Sequence, residues 1–400
     1  MGYQFQFRPY RRKFARSLTT NHGTWDTREG IILRLTDDTG KIGWGEIAPI
    51  PWFGSETLQQ ALEFCRQLPG EIAAETIFSI PDTLPACQFG FESALAAIFD
   101  RGGQDAHPTI GRSGGQDAHP TIGRSGGQDA HPTIGRSGGQ DAHPTRQSIW
   151  LVGQASCGVG VSPAPSCGAG VSPAPEKDAD FPSKIPNLNS KIAYSGLLPA
   201  GEAALQQWEI LWNQGYRTFK WKIGVSPIQE ELKIFHQLVG ALPKSAKLRL
   251  DANGGLNWQQ ANEWLQECDR IPGIEFLEQP LPDNQVSAML DLSTRYCSAI
   301  ALDESVATID QMQACYRLGW RGIFVIKPGI AGSPSRLRQF CQKYNIDAVF
   351  SSVFETAIGR QAALQLAALL SHPHRAIGFG VNHFFAEDEA TWIWQLWNNS

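Results

Sequence analysis

The sequence lacks a surplus of positive charge. Its 400 residues carry 34 Lys and Arg against 39 Asp and Glu, a net of −5 with histidine neutral. That balance argues against a sequence-independent grip on nucleic acid, which needs a basic surface to neutralise phosphates. It also lacks a sustained apolar run of about 18 residues, so no segment reads as a membrane span. Even residues 147–175, which hold no charge, are interrupted by four prolines and five glycines. The opening stretch MGYQFQFRPYRRKFARS has charges but no apolar core after them, and position 6 is Gln6. Neither a secretory leader nor a myristoyl anchor is expected. Eight cysteines (65, 87, 157, 167, 268, 297, 315 and 341) include no CxxC pair. The expectation is reduced thiols in a cytoplasmic protein.

Glycine is plentiful and unevenly placed: 16 of 40 fall between 102 and 175. GGQDAHPTIGRS runs from 102 to 113, repeats from 114 and 126, and begins again at 138. SCGVGVSPAP (156–165) and SCGAGVSPAP (166–175) follow. The 12-residue unit offers a single Ile, too little apolar surface to offset chain entropy. Residues 102–178 therefore read as a low-complexity repeat insertion, expected to be disordered. His107, His119, His131 and His143 recur beside Asp105, Asp117, Asp129 and Asp141, but ligands so spaced on flexible chain preform no metal site. GVGVSP and GAGVSP imitate a dinucleotide loop without its third glycine or its strand–helix setting.

The flanking regions differ from each other. Residues 29–47 predict a hairpin turning at 36–40, followed by helices at 55–67, with Ser55 as N-cap, and at 89–100. That is a small α+β unit over 1–101, completed by about 381–400. Over 179–380 short apolar strands alternate with amphipathic helices. Strands are predicted at 191–196, 217–223, 247–252, 274–278, 299–303, 322–327, 347–352 and 376–380. Helices are predicted at 201–214, 227–240, 257–268 and 356–370. Eight such units suggest a (β/α)₈-type barrel of the α/β class. A doubly wound open sheet is the alternative that regularity disfavours.

The strands end on polar residues. FKWKIG ends with Lys220 and Lys222, LRLDAN with Asp251 and Asn253, and FLEQP with Glu278. ALDES ends with Asp303 and Glu304, FVIKP with Lys327, and VFSSV with Ser351 and Ser352. The steps from Lys222 through Asp251, Glu278, Asp303 and Lys327 to Ser352 are 29, 27, 25, 24 and 25 residues. One β/α unit per step places all six at the C-terminal rim of one barrel, where barrel active sites lie. Lys220 and Lys222, two apart, share a strand face. Asp251, Glu278 and Asp303 supply three hard oxygen donors from neighbouring strands, which suits Mg²⁺. With no His or Cys among them, zinc is not expected. Neighbouring cations would lower a lysine's pKa and make it a base. A base beside a divalent metal suits removal of a proton next to a carboxylate.

In this order the KxK of Lys220 and Lys222, LRLDAN, FLEQP, LDES and VIKPG resemble the enolase superfamily, in its muconate-lactonizing subgroup. TREGIILRL, GWGEIAPIPWFGSETL, LRLDANGGLNW and VIKPGIAGSPS are similar to the o-succinylbenzoate synthase family in particular. The resemblance covers about 1–101 and 185–390 and implies an enolase-type barrel with an α+β capping domain. It implies Lys222 as the base that later acts as general acid, and Lys220 as its electrostatic partner. Asp251, Glu278 and Asp303 would be Mg²⁺ ligands, and Lys327 a cation against the flat intermediate. Arg249, Asn253, Ser351 and Ser352 would line the substrate, and Glu304 would stand behind the metal site. The implied reaction is dehydration of 2-succinyl-6-hydroxy-2,4-cyclohexadiene-1-carboxylate to 2-succinylbenzoate, a step in menaquinone or phylloquinone biosynthesis. N-acylamino acid racemases and dipeptide epimerases share nearly the same set and form the alternative. The loop 16–26 and residues 51–54 would close over the rim as lids, with His22 at the surface. The partner expected is a small-molecule substrate, not nucleic acid or membrane; oligomeric state is open.

Overall fold

The computed structural model describes residues 1–20, 23–100, 192–380, 385 and 388–398. The expectations for the repeat segment 102–178 and for His22 lie outside these residues.

Four strands form an antiparallel sheet in the order β3-β2-β1-β4: β1 Gly2–Thr20, β2 Gly23–Thr36, β3 Ile42–Ile47 and β4 Glu71–Ala73. The predicted hairpin is β2–β3. Its turn is held by Asp37 Oδ1, which accepts the Thr39 and Lys41 amides at 2.9 and 2.8 Å, with Gly40 at φ +84°. β1 was not anticipated. It pairs with β2 from Gln4 opposite Thr36 to Lys13 opposite Thr27, then slips register before Leu18 opposite Trp25.

Helices α1 Leu58–Gln67, α2 Ala74–Phe78 and α3 Pro85–Asp100 accompany this sheet. α1 starts later than predicted. Thr57, not Ser55, is its N-cap and forms a reciprocal capping box with Gln60, satisfying two otherwise orphaned donors. Ser55 instead accepts the Ile50 amide at 2.7 Å. α3 lies against β3 at glycine distance. A Cβ on Gly45 would collide with the Gly90 carbonyl, and one on Gly90 would come within 2.8 Å of the Glu46 carbonyl. Ile31, Leu33, Leu35, Phe91 and Ile98 are buried in the core between these elements.

Seven parallel strands follow in chain order: β5 Ser195–Leu198, β6 Thr218–Lys222, β7 Lys247–Asp251, β8 Ile274–Glu278, β9 Ile300–Leu302, β10 Ile323–Ile326 and β11 Ala348–Phe350. Closure comes from two parallel bridges, Tyr194 with Ile377 and Ser351 with Gly378. The predicted eighth strand at 376–380 is reduced to this contact. Between and after the strands lie α4 Ala204–Asn213, α5 Ile228–Ala241, α6 Trp258–Arg270, α7 Val286–Arg295, α8 Ile309–Leu318, the short α9 Pro328–Ala331, α10 Pro334–Tyr344 and α11 Ala357–Leu370. Phe276, Ala301, Ile323, Val325 and Val349 form one buried cluster. The residues alternating with them, such as Leu277, Leu302 and Phe324, join the larger cluster with helix side chains. Strands buried on both faces read as near-continuous apolar runs, so only their polar ends stand out in the sequence.

α12 Glu389–Asn398 packs Ile393 and Trp397 with Tyr10, Ile32, Trp44 and Ile358. Beneath this contact Glu46 of β3 is fully buried. It accepts the Tyr10 hydroxyl at 2.6 Å, the Thr356 amide at 2.9 Å and the Gly359 amide at 3.0 Å. A carboxylate from the antiparallel sheet thus caps the N-terminus of α11, where backbone N–H groups and the helix dipole favour an anion. Among the described residues no helix is long and apolar enough to cross a membrane.

Candidate active site

Parallel strands point their C-terminal ends to one rim, and strand register sets which residues stand side by side there. Lys222 pairs with Asp251, and Asp251 with Glu278. Asp303, Lys327 and Ser351 are the first residues past β9, β10 and β11. The rim therefore carries, in succession, the lysines of β6, three carboxylates, a lysine and a serine.

Lys220 lies among the carboxylates. Its Nζ is 2.8 Å from Asp251 Oδ2 and donates to Glu278 Oε1 at 2.6 Å. Lys327 Nζ pairs with Asp303 Oδ1. Lys222 is half-buried, with no ion pair or hydrogen bond among the described residues. Burial alone would lower the Lys220 ammonium, but Asp251, Glu278 and Asp303 outweigh it and hold its pKa above the ordinary lysine value. Neighbouring cations alone would lower a lysine's pKa; at Lys220 the nearby carboxylates reverse the sign. Glu278 moves upward too, first because it is buried and then because Asp251 repels its charge. Glu304 is raised by burial and by Asp303. One of its oxygens accepts the Asn253 side-chain amide at 3.2 Å, and the other has no hydrogen-bond partner among the described residues.

Among the described residues no three acidic side chains are gathered into a ready-made metal cage. The two ammonium groups stand where a cation would, Lys220 between Asp251 and Glu278 and Lys327 on Asp303. The donor set nevertheless fits a hard divalent ion: three buried carboxylates on successive strand ends, with no nitrogen or sulfur ligand.

Four residues were expected on the substrate side, and they separate. Asn253 is at the rim; its amide donates to Asp251 Oδ1 at 3.1 Å, with φ at +44°. Ser351 is also there, two residues past Val349 on the same strand face. Ser352 is buried, and its hydroxyl is engaged inside its own turn, donating to Glu355 at 2.9 Å and accepting the Phe354 amide at 2.9 Å. Arg249 is a correction. It sits one strand step below Asp251, with its guanidinium 4.8 Å from the Phe276 ring. It donates to Glu275 at 2.7 Å, which also accepts Arg375, itself paired with Asp347. Glu275 and Asp347 lie at the strands' N-terminal ends, so Arg249 braces the barrel base. The partners that claim it are far away in sequence.

Sequence reasoning named the segments 51–54 and 16–26 but singled out neither their aromatic residues nor Arg28. The turn Pro51–Phe53 brings Phe53 over Lys327, with Nζ 4.2 Å from the ring centre. Arg28, almost fully buried, donates to the Pro49 carbonyl at 3.0 Å and to that of Ala48, fixing the approach to this turn. Trp25 contacts Trp52, Phe14 and Phe354 edge-on, at centroid distances of 5.1, 5.2 and 5.6 Å. Phe354 has φ +58°, a conformation a bulky residue adopts only where its surroundings hold it. Trp25 falls in the predicted loop 16–26. The alternation of Tyr10, Arg12 and Phe14 was the available signal for the neighbouring strand.

The family described as "MenC, N-terminal domain" matches residues 7–98, and "Enolase C-terminal domain-like" matches residues 203–394. The o-succinylbenzoate synthase of Thermosynechococcus vestitus is 35% identical over 387 residues, covering 95% of this chain and 93% of that protein. The chain belongs to the o-succinylbenzoate synthase family. The crystal structure of o-succinylbenzoate synthase from Thermosynechococcus elongatus BP-1, complexed with Mg in the active site, aligns with TM-score 0.72 at 33% identity, covering 99% of this chain and 100% of that one. The L-Ala-D/L-Glu epimerase of Bacillus subtilis aligns with TM-score 0.61 at 17% identity, covering 96% of this chain and 91% of that one. At that identity the likeness shows the enolase-type fold alone. The family is a lyase family whose members act on a small molecule.

Proposed function

We propose that this chain is an o-succinylbenzoate synthase. It takes water from 2-succinyl-6-hydroxy-2,4-cyclohexadiene-1-carboxylate to give 2-succinylbenzoate, in menaquinone or phylloquinone biosynthesis in the cytoplasm. The observation that carries the mechanism is the division of labour among three lysines. Lys220 is already paired with two of the three carboxylates, Asp251 and Glu278, so its ammonium belongs with the carboxylate cluster. Lys327 is paired with Asp303 and stays available as a fixed cation. That leaves Lys222, the rim lysine with no such partner among the described residues, as the proton acceptor.

Lys222 takes the proton from the ring carbon that bears the carboxylate. The C–H electron pair moves into the conjugated ring and carboxylate, where Lys220 and Lys327 oppose the developing negative charge. Lys222, now an ammonium, then returns its proton to the departing hydroxyl on the same face, and water leaves as the ring becomes aromatic. Asp251, Glu278 and Asp303 would hold Mg²⁺, which when bound supplies a Lewis acid for the substrate carboxylate. Phe53 covers Lys327 and limits water on that side. Ser351 and Asn253 remain as the rim's candidates for polar contact with substrate.

The test is an absorbance assay with the cyclohexadiene substrate, run with Mg²⁺, with EDTA and on Lys222→Ala. Aromatisation that needs the metal and disappears in the variant is expected. Absence of turnover in protein that binds Mg²⁺, together with racemisation of an N-acylamino acid, would replace the proposal by the racemase reading.

A further inference from the structure

The residue that joins the carboxylate-bearing strand ends is Gln279, the residue after Glu278: its backbone reaches the loop after Asp251 and its side chain reaches Asp303. It is fully buried. Its own φ is +38°, in the left-handed region that costs a non-glycine residue strain unless contacts hold it. The contacts are numerous. Its backbone amide donates to the Ala301 carbonyl at 2.8 Å, and its carbonyl accepts the Gly254 amide at 2.7 Å. Its side-chain Oε1 accepts the Asp303 amide at 2.9 Å and the Ser305 amide at 3.3 Å. Nε2 donates to Ser305 Oγ at 2.7 Å and to the Leu281 carbonyl at 3.0 Å.

These bonds reach each strand end that carries a carboxylate. Gly254 is in the loop after Asp251, Glu278 is the preceding residue, and Asp303 is held directly by its backbone amide. Asp303 has φ −122° and ψ −75°, outside the regular regions, and the side chain bonded to its amide is that of Gln279. A carboxamide is the group this position requires. It must accept from two N–H groups on one side and donate to a hydroxyl and a carbonyl on the other. A carboxylate could accept but not donate, and an apolar side chain could do neither.

We propose that Gln279 is a positioning residue that sets the spacing of Asp251, Glu278 and Asp303 and thereby the divalent-ion affinity of the rim. The inference rests on the reading of these three carboxylates as the metal ligands. Gln279 touches neither metal nor substrate and acts through the Asp303 backbone. Partners that orient ligands in this way change metal affinity by about 10–100-fold when removed.

Two variants separate side chain from backbone. Gln279→Gly keeps the left-handed backbone accessible and removes the amide; Gln279→Glu keeps the shape and removes the donor. Mg²⁺ binding to the full chain is measured by calorimetry, with Mn²⁺ as a spectroscopic probe, alongside the thermal midpoint and kcat and KM at saturating metal. The expected result is a fall in metal affinity of about tenfold or more in both variants. Turnover should be largely restored at high Mg²⁺, and KM for substrate should change less than the metal dependence. Wild-type metal affinity in Gln279→Gly overturns the proposal, as does an affinity loss in neither variant despite a lowered midpoint. Failure of the wild type to bind Mg²⁺, or binding that survives Asp251→Asn, would instead remove the ligand assignment beneath it.

Discussion

Glu46→Ala tests how the antiparallel sheet is fastened to α11. The substitution leaves the Tyr10 hydroxyl, the Thr356 amide and hydroxyl and the Gly359 amide facing a small void where a carboxylate stood. A buried donor without a partner costs about 1–3 kcal/mol, and bonds to a charged acceptor lie at the upper end of net hydrogen-bond worth. Water can enter a polar void and satisfy part of the set, so a total of about 4 kcal/mol is expected rather than the full sum. At roughly 2 °C per kcal/mol for a unit of this size, the thermal midpoint should fall by about 8 °C. Glu46→Gln keeps the volume and one acceptor but turns an N–H₂ toward donors. Its loss should be about half as large. Thermal unfolding followed by circular dichroism reads both numbers, with turnover measured well below either midpoint. A shift under about 3 °C for the alanine variant would refute the reasoning, as would a glutamine variant less stable than the alanine one.

Two further outcomes follow from the geometry. Burial would raise the Glu275 carboxyl, but Arg249 and Arg375 outweigh it and hold it below its ordinary value of 4.5. A depressed folded-state pKa adds stability above the unfolded value and loses it as pH falls through the folded one. The stability gap between wild type and Glu275→Gln should therefore be widest near neutral pH and shrink below about pH 4.5 in urea titrations; a constant gap contradicts the assignment. Gly45→Ala forces a methyl into the Gly90 carbonyl and should cost about 1–3 kcal/mol by overpacking, read as a lower urea midpoint with unchanged slope.

The barrel was legible because its strands bury both faces and end on charged or polar residues at a steady interval. That pattern survives without knowing any contact. The three carboxylates, Lys220, Lys222 and Lys327 fell on one rim for that reason. Arg249 was not legible, because it shares a strand face with Asp251 and only the fold reveals Glu275 beside it. Lys220 was legible in place but not in charge state: sequence shows how near two lysines are, not that two carboxylates lie closer. β1 escaped because its alternation of Tyr3 and Phe5 with polar neighbours slips phase around Pro9, and because one of its buried positions is Arg12 rather than an apolar residue. Arg12 is bonded to Glu389 at 2.8 Å, almost the full length of the chain away. The capping of α1 by Thr57 instead of Ser55 was a choice between two good caps, decided by Gln60.

The barrel is joined where β11 meets β5 by very little: Ile377 and Gly378 donate to Ala193 and Phe350 at 2.8 Å each, and accept from Ser195 and Ser352 at 2.9 and 3.1 Å. With the Ser195 hydroxyl donating to the Ile377 carbonyl at 3.3 Å, those bonds make a weld line in an otherwise continuous wall, and Ser351 sits on it. Breathing of the cylinder should begin along that line, and the amides of Ile377 and Gly378 should exchange with solvent sooner than those of β7 or β8. A ligand that grips Ser351 would then do two things at once, anchoring itself and drawing the cylinder shut.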